Sequence, residues 1–371
     1  MRAVGIIFSN IHDNQVPELS RIRTLGSIPF GGRYRLIDFP LSNMVNSGIN
    51  TVGIITKSNY QSLMDHVGSG KDWDLARKDG GLILLPPFAD LGNNSLYTSR
   101  LEALKGITNF IQNADEEYAV LTDCDNISRI NYNEIIENHI KNHADISIVY
   151  KKMNTDEMLD DAQYDLILDD DQRLVNVSYN NTAGKKQINV LMNVYVMKVS
   201  LLQNIVMDSI SHSKRHFMGE VIVENLRSLK IIGFEHKGFY AGITSLLAYY
   251  NSNMKILEED VRHELFGDRS VFTKIKDSAP TKYGNSAIVK NSMIADGCVI
   301  EGEVENSIIF RNVTVARGAV VKNSIIMQNT FLGENSTLNC IITDKNVVVR
   351  EKRVLSGSEN HPFYIGKNIM V

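Results

Sequence analysis

The run from Asn323 to Leu338, NSIIMQNTFLGENSTL, places one branched aliphatic every six residues, at Ile326, Leu332 and Leu338, with small or turn-forming residues between them. A period of six matches neither a helix nor a simple strand, so the chain must turn a corner between successive inward positions. The same spacing recurs at Ile288, Ile294 and Ile300 and at Val315 and Val321. The pair Asn-Ser precedes an apolar dipeptide at Asn291-Ser292, Asn306-Ser307 and Asn323-Ser324. One inward aliphatic per short strand of a triangular coil lets stacked turns share a continuous core, the signature of a left-handed parallel β-helix. A β-sandwich would show two-residue alternation over longer strands.

Upstream the texture differs. Short β-branched runs, AVGIIF, INTVGIIT, YAVLTD, ADISIVY and VLMNVYVM, alternate with helical patterns such as NYNEIIENHIKNH. That alternation predicts an α/β domain built from βαβ units, Rossmann-like, with a mainly parallel sheet and a ligand crevice at the carboxyl ends of its strands. Between the two regions, SLLAYYNSNMKILEEDVRHEL carries apolar residues at helical spacing and predicts a connecting packing helix. The expected division is therefore 1–245, a connecting helix and linker over 246–280, and a β-helix over 281–371.

Bulk properties narrow the function. The formal charge is -4 over 371 residues, which favours neither nucleic acid nor an anionic membrane as partner. AVGIIF is too short for a membrane span and is followed by no cleavage-type pattern, so the N-terminus reads as that of a mature chain. Cys124, Cys298 and Cys340 are odd in number and lack CxxC spacing. They indicate neither a disulfide framework nor a zinc site, and a reducing cytoplasm is expected.

The segment from Pro29 to Thr56, PFGGRYRLIDFPLSNMVNSGINTVGIIT, resembles the sugar-nucleotide pyrophosphorylases, specifically the glucose-1-phosphate adenylyltransferase family. HVGSGKDWDL (His66 to Leu75), GGLILLPP (Gly80 to Pro87) and IIMQNTFLGENS extend the similarity over essentially the whole chain. The resemblance implies a nucleotidyltransferase domain followed by a left-handed β-helix, a tetramer, and a Mg2+-dependent reaction joining ATP to glucose 1-phosphate with release of pyrophosphate. Gly68 and Gly70, together with Lys57 and Tyr97, fall on positions near that family's substrate site. Lys57 stands where the family has a glutamine on the adenine side, and Tyr97 matches the tyrosine of its W-Y-x-G-T-A. Tyr97, standing alone, reads more simply as a packing residue.

Other positions depart from the pattern. Catalytic members follow the first strand with A-G-G-x-G-x-R-L, because glycine lets backbone amides approach phosphate. Here the loop is FSNIHDNQ, Phe8 to Gln15, with a side chain at every position and a carboxylate at Asp13. The family lysine that faces the reacting phosphates aligns with Leu25, and its following proline with Gly26. Arg21 and Arg23 lie close by and read as surface charges or as substitutes for the lysine. AVLTDCDNI puts the family's first metal aspartate at Asp125, with Asp123 as an added carboxylate. That pair reads either as a water-mediated Mg2+ site or as a solvated acidic turn. The second metal aspartate aligns with Gly242, and the sugar-phosphate glutamate and lysine with Asn180 and Asn181.

Fold-bearing motifs are thus kept, while the glycine loop, the phosphate-facing lysine, one of the two metal ligands and the sugar-phosphate lysine are replaced. The pattern resembles the GlgD-type regulatory subunit, which implies a catalytically impaired chain that modulates a catalytic glucose-1-phosphate adenylyltransferase subunit in a heterotetramer, with a homo-oligomer as the alternative. Arg33 and Arg35 are candidate phosphate contacts for an effector, or Arg35 braces the sheet through Asp38. The alternative keeps the chain an active nucleotidyltransferase with a site remodelled around Arg21, Arg23, Lys57, Asp123 and Asp125. An acyltransferase role for the β-helix is disfavoured, because no histidine lies between Tyr283 and Asn360 to act as general base.

Overall fold

The computed structural model describes residues 2–87, 97–158, 163–179, 184–268 and 270–371. Two compact units result. The first comprises residues 1–13, 22–27 and 37–242, and the second residues 14–21, 28–36 and 243–371. The second unit therefore takes two short excursions of the N-terminal chain, including the whole PFGGRYR motif, that a division at residue 245 assigns to the first.

The first unit is built on a nine-stranded sheet among the described residues. Its strands are β1 (Ala3–Phe8), β2 (Thr51–Ile55), β3 (Gly81–Leu85), β4 (Tyr118–Asp123), β5 (Ile146–Asn154), β6 (Tyr164–Leu168), β7 (Leu174–Tyr179), β8 (Gln187–Lys198) and β9 (Ile231–Glu235). The main path runs β7-β6-β8-β4-β1-β2-β3, and β5 joins β8 to β9. Pairing is parallel for β4-β1-β2-β3 and for β5-β9. It is antiparallel wherever β8 meets β4, β5 or β6, so the sheet is mixed.

All six residues of β1 are buried, as expected of a parallel strand covered on both faces. Val4, Ile6 and Phe8 share one cluster with Leu101, Leu104, Leu202 and Val206 from two covering helices. Chain order reverses at β1, which lies between β2 and β4, and Phe8 is in register with Asp123. The segments leaving these two strands consequently emerge side by side, which defines the crevice of an open α/β sheet.

In the second unit, three five-stranded parallel sheets form the faces of the coil. The first runs from Lys282–Tyr283 to Val348–Val349, the second from Ile288–Lys290 to Val354–Ser356, and the third from Met293–Ile294 to Phe363–Ile365. Ile300, Val304, Val315, Val321, Ile326, Leu332 and Leu338 pack in one buried core. Ile288, expected in that core, is 49% exposed. It lies on the first turn of the coil, which has no turn stacked above it.

The Asn-Ser pairs have a structural explanation. Asn291, Asn306 and Asn323 hold left-handed backbone at one corner, and Asn312, Asn329, Asn346 and Asn368 do so at another. Asparagine tolerates that conformation better than other side-chain-bearing residues. Their amides stack between turns, with Asn312 Nδ2 donating to Asn329 Oδ1 at 3.3 Å and Asn329 Nδ2 to Asn346 Oδ1 at 3.1 Å. The serines link turns as well. Ser307 Oγ donates to its own turn through the Glu305 carbonyl and accepts the Ser324 N–H of the next.

The expected connecting helix is two helices, Leu246–Lys255 and Glu259–Phe266. Ser245 Oγ caps the first by accepting the Ala248 N–H. Glu258 is extended and ends the connection, while Glu259 and Asp260 open the second helix, where acidic side chains suit the helix dipole. Nearby, Gly31 takes a φ of 57° and its N–H donates to Asn253 Oδ1 at 3.0 Å.

Asn329 tests the corner. Both Asn329→Ala and Asn329→Gly lose the stacked amide, but only alanine is strained at a φ of 59°. Asn329→Ala is expected to be less stable than Asn329→Gly by about 1–2 kcal/mol in urea denaturation.

Candidate functional site

The crevice at the ends of β1 and β4 is filled from within. Past Phe8, the Ser9 hydroxyl donates to the Ile55 carbonyl at 2.7 Å, and Asn10 is buried with its Oδ1 accepting the Tyr97 hydroxyl at 2.8 Å. Lys57 Nζ lies 5.6 Å from the Tyr97 ring centroid. Lys57 and Tyr97 therefore belong with the β1 loop, and Tyr97 is tied to it by a hydrogen bond rather than by packing alone.

Four backbone amides around the ends of β1 and β4 are occupied by protein acceptors. Ser9 N–H donates to the Ile55 carbonyl, Cys124 N–H to the Phe8 carbonyl and Gly26 N–H to the Ser9 carbonyl. Leu25 N–H donates to Asp13 Oδ1 at 2.7 Å. Asp13 thus serves as an internal acceptor at the position that has lost the lysine. Gly26 fits closely here, since an added Cβ would stand 3.1 Å from Cys124 Sγ and 3.4 Å from the Ser9 carbonyl oxygen.

Asp123 and Asp125 are buried, which overturns their reading as a solvated acidic turn. His12 Nε2 lies 2.9 Å from Asp123 Oδ2 and 3.7 Å from Asp125 Oδ2. Arg100 Nη2 donates to the same Asp123 oxygen. The guanidinium of Arg100 is surrounded by the rings of Phe8 and Tyr195, each 5.3 Å away, and Phe217 at 6.0 Å, contacts that favour a desolvated cation. Neither His12 nor Arg100 was anticipated from sequence. The available signal for Arg100 was a cation in the first turn of a Ser99-capped helix, where the dipole disfavours positive charge and an acidic partner is required.

Electrostatics follow from this packing. Burial pushes Asp123 up, but Arg100 and His12 outweigh it and hold the carboxyl below its usual range. Burial, helped by the charge of Asp123 and opposed by His12, raises Asp125 to about 6. Burial lowers His12, yet Asp125 and Asp123 carry it above the ordinary imidazole value. Two carboxylates, one guanidinium and one imidazolium sum to zero charge. The Cys124 thiol is driven well up, by burial first and then by Asp123 and Asp125, which makes it inert as a nucleophile.

Magnesium demands an octahedral shell of oxygens with several waters. Here Asp123 Oδ2 already accepts from Arg100 and lies against the His12 ring nitrogen, leaving Asp123 Oδ1 as the oxygen without a hydrogen-bond partner. Gly242 pairs with Asn126 beside Asp125 and supplies no side chain. The residues present do not fit Mg2+.

The remaining predicted positions scatter. Arg23 is buried, against the expectation of a surface charge, while Arg21 is exposed and lies in the second unit with Arg33 and Arg35. Gly68 and Gly70, with φ of 51° and 79°, shape the turn after the helix Gln61–Val67. That helix carries His66, whose Nε2 is 2.6 Å from Asp38 Oδ1. Asn180 and Asn181 lie outside the described residues.

Residues 15–231 match the Nucleotidyl transferase family, and residues 277–361 match the GlmU-like C-terminal hexapeptide family. The glycogen biosynthesis protein GlgD of Bacillus subtilis (strain 168) is 32% identical over 376 residues, covering 99% of this chain and 96% of that protein. The chain belongs to the GlgD family. Its similarity to GlgD of Geobacillus stearothermophilus is 35% identity over 86% of this chain and 83% of that one. A glucose-1-phosphate adenylyltransferase of Bacillus mycoides (strain KBAB4) is 27% identical over 97% of this chain and 96% of its own. Among the described residues no helix is long and apolar enough to cross a membrane.

Two predictions follow for this GlgD-family site. Asp123→Asn strands a buried guanidinium, so it is expected to cost about 3–5 kcal/mol in urea denaturation. Asp13 behaves oppositely. Burial raises its carboxyl from 3.8 to about 7 against the Leu25 N–H and Lys57. A raised carboxyl takes up its proton on folding, so between those values stability falls as pH rises, and above them the full penalty remains. Asp13→Asn keeps an oxygen for Leu25 and is expected to melt higher than wild type near pH 8.5, with the advantage shrinking as pH falls toward 4.

Proposed function

We propose that this chain is a catalytically impaired regulatory subunit of glucose-1-phosphate adenylyltransferase in glycogen biosynthesis, acting in the cytoplasm on a catalytic partner within a heterotetramer. Nucleotidyl transfer requires donors aimed at the triphosphate and positive charge where the reaction develops negative charge. The observation that carries the proposal is that the amides around β1 are taken up internally and the lysine position is Leu25. A triphosphate would have to break those bonds and would face Asp13. The buried, unpaired cysteines Cys124, Cys298 and Cys340 agree with a reducing compartment.

Regulation by an anionic effector has support in the second unit. Lys276 is held below its usual value by burial and then by the charges of Arg311, Arg35 and Lys274. Asp296 opposes them and is paired at 2.9 Å to Arg311 Nε. We assign Arg35 to contact with an anionic effector, with Arg33 as an exposed neighbour.

The purified chain is expected to form ADP-glucose from ATP, glucose 1-phosphate and Mg2+ at a rate at least about 10²–10³-fold below a catalytic subunit, the scale of one lost electrostatic contact. Added to a catalytic subunit, it is expected to change KM, kcat or effector response. Robust turnover by the chain alone would falsify the proposal.

A further inference from the structure

The misfit with magnesium has a specific cause. Asp123, Asp125 and His12 present one ligand atom each, and those atoms all lie within 4.8 Å of one another. One imidazole and two carboxylates form a donor set for a divalent ion that takes nitrogen as well as oxygen, such as Zn2+, with Mn2+ bindable through the carboxylates and less demanding of geometry than Mg2+. A positive charge already stands at that set. Arg100 donates to Asp123 Oδ2 with its side chain 10% exposed and Asp123 1% exposed.

We propose that Arg100 is a built-in counter-cation: it takes over the charge role of a divalent ion and masks a latent metal triad of His12, Asp123 and Asp125. Three independent observations support this. The guanidinium is held by the rings of Phe8, Tyr195 and Phe217 and by Asp123, so it is fixed at the acid pair rather than passing over it. Its helix starts at Arg100 itself, so the cation is anchored by backbone that Ser99 caps at the Glu102 N–H. Finally, Asp123 Oδ1 is buried and has no hydrogen-bond partner, which leaves a carboxylate oxygen at the triad unused by the protein. With Arg100 present, a dication must displace the His12 proton and still be added beside the guanidinium charge. Without Arg100, two carboxylates and an imidazole that has given up its proton carry the negative charge that a dication needs.

The proposal is separate from the subunit role and survives its failure, because it concerns metal occupancy and not turnover. It is tested on the purified full chain by equilibrium dialysis and electron paramagnetic resonance with micromolar Mn2+, repeated with Zn2+, and by thermal melting with and without EDTA. Wild type is expected to retain no stoichiometric ion, and its melting temperature is expected to be unmoved by Mn2+, Zn2+ or EDTA. Arg100→Met and Arg100→Gln are expected to bind one Mn2+ per chain about 100-fold more tightly than wild type, the scale set by removing a unit charge a few ångströms away. Adding His12→Ala to either is expected to abolish that gain. Arg100→Gln retains side-chain length and a hydrogen-bonding amide, which keeps the comparison available should the methionine variant not fold. One tightly held ion in wild type overturns the proposal, and so does a folded Arg100 variant that binds no better than wild type.

Discussion

Burying two carboxylates two residues apart at a strand end is unfavourable unless cations reach them, and at this site Arg100 and His12 supply those cations. Desolvation alone drives a carboxyl toward its neutral form, and a second carboxylate nearby adds to the effect. Asp125 shows the residue of that tension at about 6, whereas Asp123, against the guanidinium, stays charged. The register of Phe8 with Asp123 brings the β1 loop and the β4 loop together. His12 can then reach both acids, and Phe8 forms one wall around Arg100. Breaking a buried ion pair from one side leaves an uncompensated charge, so strand end, loop and the helix beginning at Arg100 depend on one another.

The same mutual dependence explains how the first strand of a nucleotide-binding domain persists without its glycine loop. In a phosphate cradle, loop amides point at the ligand and are left without partners in its absence. Here the amides of Ser9, Leu25, Gly26 and Cys124 are satisfied by protein acceptors. On the proposed reading, a triphosphate at this strand end would have to displace those acceptors, Asp13 among them.

The β-helix was legible in sequence because its period is written in residues that the backbone itself demands. Asparagine at the left-handed corners and aliphatics every six residues report geometry directly. The strands around β1 were legible for a similar reason, the continuous apolar runs of buried parallel strands, whereas their order was not. Asp123 and Asp125 were found by position, but their environment was not, since the two cations come from segments 111 and 23 residues from Asp123 in sequence. Such long-range pairing leaves almost no local pattern. The exposure of Ile288 escaped for the opposite reason: its local pattern is that of an inward position, and only the missing turn above it sets its exposure. The transfer of residues 28–36 to the second unit was hidden because a family motif was read as one continuous block.

Scaffold and site answer to different constraints, which is why one can keep its pattern while the other changes. A corner asparagine satisfies a backbone requirement that no distant residue can meet in its place, so the coil tolerates little change at that position. A charge requirement is less particular. An acid pair needs compensating charge within a few ångströms, and a hydrated ion, a guanidinium or an imidazolium can each provide it. Replacing a diffusible ion by a side chain removes the entropy of capturing the ion but fixes the charge permanently in one place. At this strand end the compensating charge comes from Arg100 and His12, so the β1 loop and the helix beginning at Arg100 are both tied to Asp123 by contacts within the chain.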